Sequence, residues 1–232
     1  MRRVTSVLLL LFLALTVPLA AAGQERIAGL DQLDLTALLA PPPALDSPKQ
    51  KQEVDELLGI QARRTPEQAT FAAADAERSL IRFGVVIFGP GFTADKLPKA
   101  VAFFENTRKL GDVLVTRAKD FWNKPRPFVA YAAITPCIEK PGGAAYPSGH
   151  STFATVTAIL LANMVPEKKE AIFARADQFA FNREVAGVHY PSDVAAGRVS
   201  GTVIAAFLLA DRDFMVQFDA ARAEVRGVLG LN

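Results

Sequence analysis

Cysteine and histidine are scarce in this sequence: among 232 residues there is one cysteine, Cys137, and there are two histidines, His150 and His189. A single cysteine cannot form an intramolecular disulfide, so the fold must be stable without one. No group of histidine, cysteine and carboxylate residues has the spacing of metal ligands. The sequence therefore implies no metal ion and no other cofactor.

The N-terminus has the pattern of a secretory signal peptide. Met1-Arg2-Arg3 is followed by an apolar run from Val7 to Leu19 and by Ala20-Ala21-Ala22, which is the order of basic, apolar and small residues in such a signal. A membrane anchor is the alternative, but the run is short for a bilayer and ends in small residues. We expect cleavage after Ala22 and a periplasmic location.

An excess of charge of one sign is also absent. Removal of residues 1–22 takes away Arg2 and Arg3 and no acidic residue, which lowers the basic residues from 26 to 24, equal to the 24 acidic residues. A formally neutral protein has no electrostatic reason to bind nucleic acid or an anionic membrane. Neither is expected as a partner.

Half of the residues are apolar, and a chain of 232 residues can bury the core of one domain. We expect a signal peptide at residues 1–22, an N-terminal arm at 23–47 around Pro41-Pro42-Pro43, and a helical domain at 48–232. Apolar periodicity and cap residues predict helices at 48–63, from Thr65 to about 88, from Thr93 and Asp95 to about 121, at 150–164, from 166 to about 183, at 194–210 and at 212–228. No strand pattern is present, so the predicted fold is all-α, a single compact helical bundle.

Two of these helices, 150–164 and 194–210, are apolar enough to resemble transmembrane spans. Both are shorter than a bilayer requires, and Arg198 interrupts the second. Buried core helices of a bundle are the better interpretation. We therefore expect no stable insertion into a membrane.

Both histidines stand in short motifs. Pro147-Ser148-Gly149-His150 is a turn in front of an apolar helix, so its amides would lie at a helix N-terminus, where anions bind. The other motif residues are three cations, one histidine and one carboxylate: Lys119, Arg126, Arg183, His189 and Asp193. A lone lysine or arginine usually belongs to a solvated helix face, but three cations at motif spacing indicate a functional site.

Three motifs follow one another along the chain: K-x6-R-P from Lys119, P-S-G-H from Pro147 and R-x5-H-x3-D from Arg183. They resemble the motifs of the phosphatidic acid phosphatase type 2 and haloperoxidase superfamily, in the same order. The resemblance spans nearly the whole mature chain and is strongest to the secreted bacterial class A non-specific acid phosphatases. Further matching segments are Leu39-Ala40-Pro41-Pro42-Pro43, Gly111-Asp112, Ala118-Lys119-Asp120, Arg126-Pro127-Phe128, Tyr146-Pro147-Ser148-Gly149-His150 and Ser192-Asp193-Val194. The resemblance implies the helical bundle of this superfamily.

The resemblance and the chemistry of the side chains together assign three catalytic residues. His189 is predicted to be the nucleophile that forms a phosphohistidine, while Asp193 holds the proton on its other ring nitrogen. His150 is predicted to protonate the leaving group and then to activate water as a base.

Phosphate binding is assigned to five further residues. Lys119, Arg126 and Arg183 are expected to surround the non-bridging oxygens, because positioning and charge dominate phosphoryl transfer. Ser148 is expected to offer its hydroxyl and amide, and Gly149 an amide that no side chain shields.

Neighbouring residues receive structural interpretations. Lys124 is adjacent to the first motif but off its spacing, so it is predicted to lie on the surface. Tyr146 and Phe128 are predicted to be packing residues, with a role in the wall of the site as the alternative. Gly142-Gly143, in the irregular segment 128–145, is expected to give a mobile loop that sets substrate preference.

The sequence departs from the pattern of this family at two points. Asn182 stands where serine is usual before the arginine, which leaves one supporting hydrogen bond open. Many class A enzymes carry a pair of cysteines, whereas this chain has Cys137 alone.

The complete motif set on a secreted chain predicts a metal-independent, vanadate-sensitive acid phosphatase that hydrolyses small phosphate monoesters. Transfer of the phosphoryl group to an alcohol is the expected side activity. A vanadium-dependent haloperoxidase is one alternative, since the same residues can hold vanadate, although the short chain argues against it. A non-catalytic phosphate-binding protein is the other, despite the presence of both histidines and Asp193. The relatives imply an acidic pH optimum and a homo-oligomer.

Overall fold

In the computed structural model, which describes Ile27 and residues 29–231, the chain forms ten α-helices and two short 3-10 helices. The α-helices are α1 (Leu35–Leu38), α2 (Pro48–Arg63), α3 (Pro66–Ala74), α4 (Leu80–Phe88), α5 (Pro98–Trp122), α6 (Pro127–Ala130), α7 (Gly149–Met164), α8 (Lys169–Val185), α9 (Pro191–Ala210) and α10 (Arg212–Val228). The 3-10 helices are Leu30–Gln32 and Pro166–Lys168. The described residues contain no strand, so the all-α prediction is confirmed. The predicted signal peptide and residues 23–26 lie outside the described part of the chain.

Helix α7 packs against both α8 and α9, and α5 and α10 also contact it. It is apolar on nearly every side, and Phe153, Leu160 and Leu161 are among its many buried residues. A helix with this composition is stable when protein surrounds it. The start of α7, which carries the P-S-G-H motif, is thereby fixed against its neighbours.

Two glycines in α9 permit its close approach to α7. A Cβ on Gly197 would lie 2.6 Å from the Ser148 carbonyl oxygen, and a Cβ on Gly201 would lie 2.7 Å from the Thr152 carbonyl oxygen. Both oxygens belong to the backbone, so a side chain at either glycine would force the helices apart. The contact places the first turn of α9 beside the first turn of α7.

The helix predicted from Thr65 to residue 88 is in fact two helices. Thr65 caps α3 through its side chain, as predicted, but residues 75–79 separate α3 from α4. The cause is Asp75, which is fully buried. Its carboxylate accepts hydrogen bonds from Arg82, Arg175 and Asn182. A buried carboxylate requires such partners, and the chain leaves the helix to reach them.

Other helix boundaries differ from the predictions by a few residues. Helix α5 begins at Pro98, and the predicted start at Thr93 and Asp95 lies in the preceding turn. The segment predicted to be irregular after Phe128 begins within α6, and the helix after Pro166 begins as a 3-10 turn. Proline at the first helical position explains the start of α5, because its missing N–H is not needed there.

Helix α9 has 20 residues and is, among the described residues, long and apolar enough to cross a membrane by length and composition. The prediction that this segment is too short is therefore wrong. Half of its 18-residue apolar window is buried inside the protein, and the buried Asp193 lies in its first turn. This burial is what a core helix of the bundle requires.

The N-terminal arm over residues 29–47 packs on the bundle. Leu33, Leu35 and Leu39 belong to the main hydrophobic core, and the Tyr146 hydroxyl donates a hydrogen bond to the Ala40 carbonyl at 2.5 Å. Residues 41–43 have no regular structure, as the three prolines predict.

Candidate active site

The start of α7 presents a helix N-terminus to a cluster of charged side chains. Ser148 is the N-cap residue, and its side chain accepts a hydrogen bond from the Ser151 amide at 3.3 Å. The Ser148 amide donates to the Asp193 carbonyl at 2.9 Å, so this amide is already engaged, contrary to the prediction. Gly149 and His150 occupy the first two helical positions, whose amides have no acceptor within the helix. These two amides are the donors that an anion would meet.

His189 lies in the loop between α8 and α9, and both of its ring nitrogens are engaged. Nδ1 lies 3.1 Å from Oδ2 of Asp193, and Nη1 of Arg126 lies 3.2 Å from Nε2. A carboxylate accepts and a guanidinium donates, which assigns the proton to Nδ1 and the lone pair to Nε2. A nucleophilic imidazole needs this tautomer.

Asp193 is itself fixed by the start of α9. It is the third residue of the helix, and its Oδ2 accepts the Tyr190 amide at 2.9 Å as a helix cap. The same oxygen therefore serves the cap and the His189 ring. The side chain of Asp193 is fully buried.

Lys119 and Arg126 come from the end of α5 and the segment after it, and backbone carbonyls of residues 142–145 hold both. Lys119 Nζ donates to the Ala144 and Ala145 carbonyls at 2.6 and 3.1 Å. Arg126 donates through Nε and Nη2 to the Gly142 carbonyl at 3.2 and 3.0 Å. Carbonyl groups carry no net charge, so both cations remain able to pair with an anion. The glycine loop thus orients two cations of the site.

Arg183, near the end of α8, is the least compensated of the three cations. It is 1% exposed, and its Nε and Nη1 atoms are buried without a hydrogen-bond partner among the described residues. An unpaired buried guanidinium is costly, so an anionic ligand would stabilise this arrangement. The neighbouring Asn182 donates to Asp75 at 2.7 Å. Position 182 therefore attaches α8 to the turn between α3 and α4.

His150 is held by that same turn. Its Nε2 lies 3.0 Å from the Ala76 carbonyl oxygen, and since a carbonyl can only accept, Nε2 carries the proton of the neutral ring. Nδ1 then has the lone pair. The ring stacks on Phe179 with centroids 6.1 Å apart. The break between α3 and α4 therefore positions a residue that the motifs mark as catalytic.

Burial and positive charge lower the pKa values of the two histidines and of Lys119. Burial and the charges of Lys119 and Arg126 lower the pKa of His189 well below its usual value. Burial and the charge of Arg183 do the same to the pKa of His150. Burial and Arg126 lower the pKa of Lys119 to about 7. A phosphate dianion would raise all three pKa values, so protonation and anion binding support each other.

The chain is similar to proteins of a known family. The sequence profile of the PAP2 superfamily matches residues 108–214. The chain is 30% identical over 176 residues to the non-specific acid phosphatase of Salmonella typhi, a match that covers 71% of this chain and 69% of that relative. This chain belongs to the PAP2 superfamily.

A second relative of this PAP2 protein is the acid phosphatase of Zymomonas mobilis, which is 29% identical over 195 residues and is matched over 81% of this chain and 74% of its own length. The prediction of an acid phosphatase, a phosphoric monoester hydrolase, is confirmed. A bacterial vanadium-dependent iodoperoxidase superposes with a TM-score of 0.56 at 19% identity, over 74% of this chain and 52% of that chain. This likeness confirms the PAP2 fold and nothing further.

Lys124 is buried in this PAP2 protein, so its predicted surface location is wrong. Only 4% of the residue is exposed, and Nζ lies 3.4 Å from Oδ1 of Asp193. The ammonium also donates to Ser192 Oγ at 3.2 Å and lies over the Tyr190 ring at 4.2 Å. The chain turns inward because α5 ends at Trp122 and the next residue, Asn123, has a left-handed φ of 44°.

Arg78 is a further cation beside the site that no spaced motif contains. It donates to both carboxylate oxygens of Asp112, at 2.5 and 3.2 Å. Its Nη1 lies 3.5 Å from the point that a Cβ on Gly149 would occupy. Asp75 and Arg78 interrupt an alanine-rich run in the sequence. This interruption is the signal that could have marked the two residues as candidates for a role near the site.

The structure thus brings the predicted residues together around one group of cations. Lys119, Arg126 and Arg183 are called the cation cluster below. Arg126 contacts Nε2 of His189 at 3.2 Å. The charges of all three cations lower the pKa of His189, and the charge of Arg183 also lowers that of His150. In the described part of the chain, no three His, Cys, Asp or Glu residues are grouped so that they could hold a metal ion. The arrangement can bind a tetrahedral anion and attack it with Nε2.

Proposed function

We propose that this PAP2 protein is a secreted acid phosphatase that hydrolyses small phosphate monoesters through a phosphohistidine at His189. The observation that carries the proposal is the geometry of that ring. Its Nδ1 pairs with Asp193 at 3.1 Å, and its Nε2 faces the Arg126 guanidinium at 3.2 Å. A phosphoryl group bound by this guanidinium would lie next to the Nε2 lone pair, as an in-line attack requires.

In the first step, Nε2 of His189 attacks phosphorus, and the bond between phosphorus and the ester oxygen breaks. Asp193 stabilises the positive charge that develops on the ring, because it accepts the Nδ1–H bond. The cation cluster neutralises the non-bridging oxygens. Protonated His150 gives its proton to the leaving oxygen, which departs as an alcohol.

In the second step, neutral His150 takes a proton from water while the water oxygen attacks phosphorus. The bond between phosphorus and Nε2 breaks, inorganic phosphate forms, and His189 returns to its neutral state. An alcohol can replace the water molecule. The product is then a new phosphate ester, which accounts for the proposed phosphotransferase side activity.

The proton on His150 links the mechanism to acidic pH. Burial and the charge of Arg183 lower the pKa of His150, so the imidazolium needed in the first step forms only in acid or after a phosphate dianion has bound. This supports the proposed acidic optimum. The three cations of the cluster supply the charge that a metal ion would otherwise provide, which supports a metal-independent reaction.

The test uses protein that lacks residues 1–22 and an activated aryl phosphate labelled at phosphorus, in the presence of a chelator. Turnover should resist the chelator and be inhibited by vanadate. The His189→Ala variant should lose both turnover and alkali-stable labelling. The His150→Ala variant should release about one equivalent of phenol and retain the label, because an activated leaving group needs no acid but the second step lacks its base.

Lys109→Ala is the matched control, because Lys109 lies on the same helix as Lys119 but its side chain is 62% exposed. It should keep full activity. Full hydrolysis by His189→Ala would rule out the phosphohistidine.

The haloperoxidase alternative rests on fold alone, since the iodoperoxidase is 19% identical, whereas the relatives near 30% identity are named acid phosphatases. Halide oxidation that requires added vanadate, without phosphatase turnover, would favour it. Tight phosphate binding without turnover would favour the non-catalytic alternative.

Secretion and oligomeric state are separate parts of the proposal. Expression of the full chain in a Gram-negative host should yield periplasmic protein whose N-terminus is Gly23, with no detergent needed for its release. Mass spectrometry and light scattering would measure the cleavage site and the proposed homo-oligomer. Membrane-bound protein that retains residues 1–22 would contradict this location.

A further inference from the structure

The buried ammonium of Lys124 lies on the far side of the carboxylate that pairs with His189. Oδ2 of Asp193 contacts the His189 ring and the Tyr190 amide, whereas Oδ1 faces Lys124 Nζ at 3.4 Å. Oδ1 has no hydrogen-bond partner within the described residues. The Lys124 side chain is 3% exposed and that of Asp193 is fully buried. Water therefore screens this ion pair very little.

A buried carboxylate without a cation would take up a proton. Burial raises the pKa of Asp193, and the charge of Lys124 opposes that shift. If Asp193 were protonated, it would hold the Nδ1–H bond less strongly and could not balance positive charge on the ring. The tautomer with its lone pair on Nε2 would then lose its support.

We propose that Lys124 is a positioning residue that keeps Asp193 ionised and thereby holds His189 in its nucleophilic tautomer. For turnover, the inference rests on the function proposed above. The predicted effect of Lys124 on the protonation and tautomer of the His189 ring follows from the contacts alone.

A second carboxylate holds Lys124 in place. The Ser192 hydroxyl accepts from Lys124 Nζ and donates to Glu53 at 2.9 Å, and the Ser192 amide donates to Glu53 at 3.0 Å. Glu53 lies on α2 and is buried. The ammonium is therefore fixed between α2, the end of α5 and the start of α9. Its contact with the Tyr190 ring adds a cation–π interaction.

The His189–Asp193 pair titrates under the influence of groups from several elements. These groups are Glu53 on α2, Lys119 at the end of α5, Lys124 and Arg126 between α5 and α6, Tyr146 before α7, His150 at the start of α7, Arg183 and Glu184 on α8, and Tyr190 before α9. The cation cluster remains when Lys124 is replaced. Any shift in the variant therefore reports the missing ammonium.

The experiment uses ¹⁵N-histidine NMR, because the chain has only two histidines and each ring can be followed. Lys124→Met removes the charge, Lys124→Gln removes it but keeps a donor for Ser192, and Lys124→Arg keeps it. In the Met and Gln variants the His189–Asp193 pair should take up a proton at higher pH than in the parent protein. In Lys124→Arg the His189 signals should follow the parent.

The kinetic readout is the pH dependence of kcat. In Lys124→Met and Lys124→Gln, kcat should fall roughly 10–100-fold, the range seen when a group that supports a metal-bound histidine from outside is removed. The acid limb should move to higher pH, because the pair is protonated there. Inhibition by inorganic phosphate should change little, since the cation cluster is intact. Lys109→Ala is the control, because it removes an exposed lysine whose side chain is 62% exposed, and its acid limb should stay in place.

Unchanged His189 signals in the folded Met and Gln variants would overturn the proposal. Equal loss of activity in the Met and Arg variants, with no shift of the acid limb, would also overturn it in favour of a packing function. Failure of the phosphohistidine mechanism is a different result, since it appears as turnover in His189→Ala. The NMR shift in the Lys124 variants would still decide whether Lys124 controls the His189–Asp193 pair.

Discussion

Two buried arginines in this protein differ in whether they have partners. Arg175 donates to both carboxylate oxygens of Asp75, at 2.8 and 2.6 Å, whereas Nε and Nη1 of Arg183 have no partner in the described part of the chain. Burial and the nearby charge of Arg126 lower the pKa of Arg183 to about 10. The unpaired buried charge of Arg183 costs stability, which is consistent with its proposed role in binding phosphate.

We predict opposite outcomes when each arginine is replaced by methionine. Arg183→Met should not lower the midpoint of thermal unfolding, since an unpaired buried charge is removed, but kcat/KM should fall about 10²–10³-fold because a phosphate donor is lost. Arg175→Met should cost roughly 3–5 kcal/mol of unfolding free energy, because it leaves Asp75 short of a partner. Thermal unfolding and phosphatase assays measure both. A marked loss of stability in Arg183→Met would show that this residue is structural.

The low pKa of Lys119 leads to a prediction about how phosphate binding depends on pH. Burial and Arg126 lower its pKa to about 7, so its ammonium is present below that pH and lost above it. Binding of inorganic phosphate should therefore weaken above pH 7 in the parent protein, by up to about tenfold per pH unit. In Lys119→Arg the side chain stays charged, so the loss of phosphate affinity that comes from deprotonation of Lys119 should be absent.

The measurement is the inhibition constant for phosphate in both proteins across pH. The ratio of the two constants cancels the titration of phosphate itself. A ratio that does not change with pH would mean that Lys119 keeps its charge throughout.

At the scale of elements, the contact between α7 and α9 determines the geometry of the site. Gly197 lies under the Ser148 carbonyl, and the Ser148 amide reaches Asp193. The first turns of the two helices carry His150 and Asp193. Separation of these helices would therefore move the predicted acid away from the predicted nucleophile.

We predict that Gly197→Ala destabilises the fold by about 1–3 kcal/mol, because the new Cβ would lie 2.6 Å from a backbone oxygen. It should lower kcat more than the affinity for phosphate. Gly227→Ala is the control, because a Cβ on this α10 residue meets nothing within 4 Å, and it should stabilise the helix by about 0.5–1 kcal/mol. Urea unfolding compares the two. Equal stability would show that α7 and α9 can separate freely.

The break between α3 and α4 is the element that periodicity could not predict. Apolar periodicity predicts one helix over residues 66–88 and gives no reason to stop at Ala74, although Ser79 caps α4 with its side chain. The reason is tertiary, because Asp75 meets Arg175 and Asn182 on α8, at separations of 100 and 107 residues. The break supplies the Ala76 carbonyl for His150 and places Arg78 near Gly149.

At the scale of the molecule, charge and burial lead to a prediction about membranes. Without residues 1–22 the formal charges balance, and the most apolar window of α9 is half buried. We predict that this protein stays in the supernatant with both neutral and anionic vesicles at low salt, as measured by co-sedimentation. Binding to anionic vesicles that salt reverses would reveal a basic face. Binding that resists salt would indicate insertion of apolar surface.

Much of the site could be predicted because its evidence is local in the sequence. Motif spacing identified Lys119, Arg126, His150, His189 and Asp193, and the structure groups them in one place. The Ser148 amide was assigned wrongly, because its partner, the Asp193 carbonyl, comes from a helix that is distant in sequence. Asn182 was recognised as a supporting residue, but its partner Asp75 could be found only in the folded chain.

The sequence by itself determined the helical periodicity, the proline and glycine boundaries and the reactive groups, because each depends on residues that are close together in the chain. Only the tertiary structure decided which charges are buried and which have partners. Lys124 reads as a surface lysine in the sequence, yet it bonds to Ser192 across 68 residues and pairs with Asp193. Burial, and with it the pKa of each group in the site, depends on contacts between elements that the linear order does not contain.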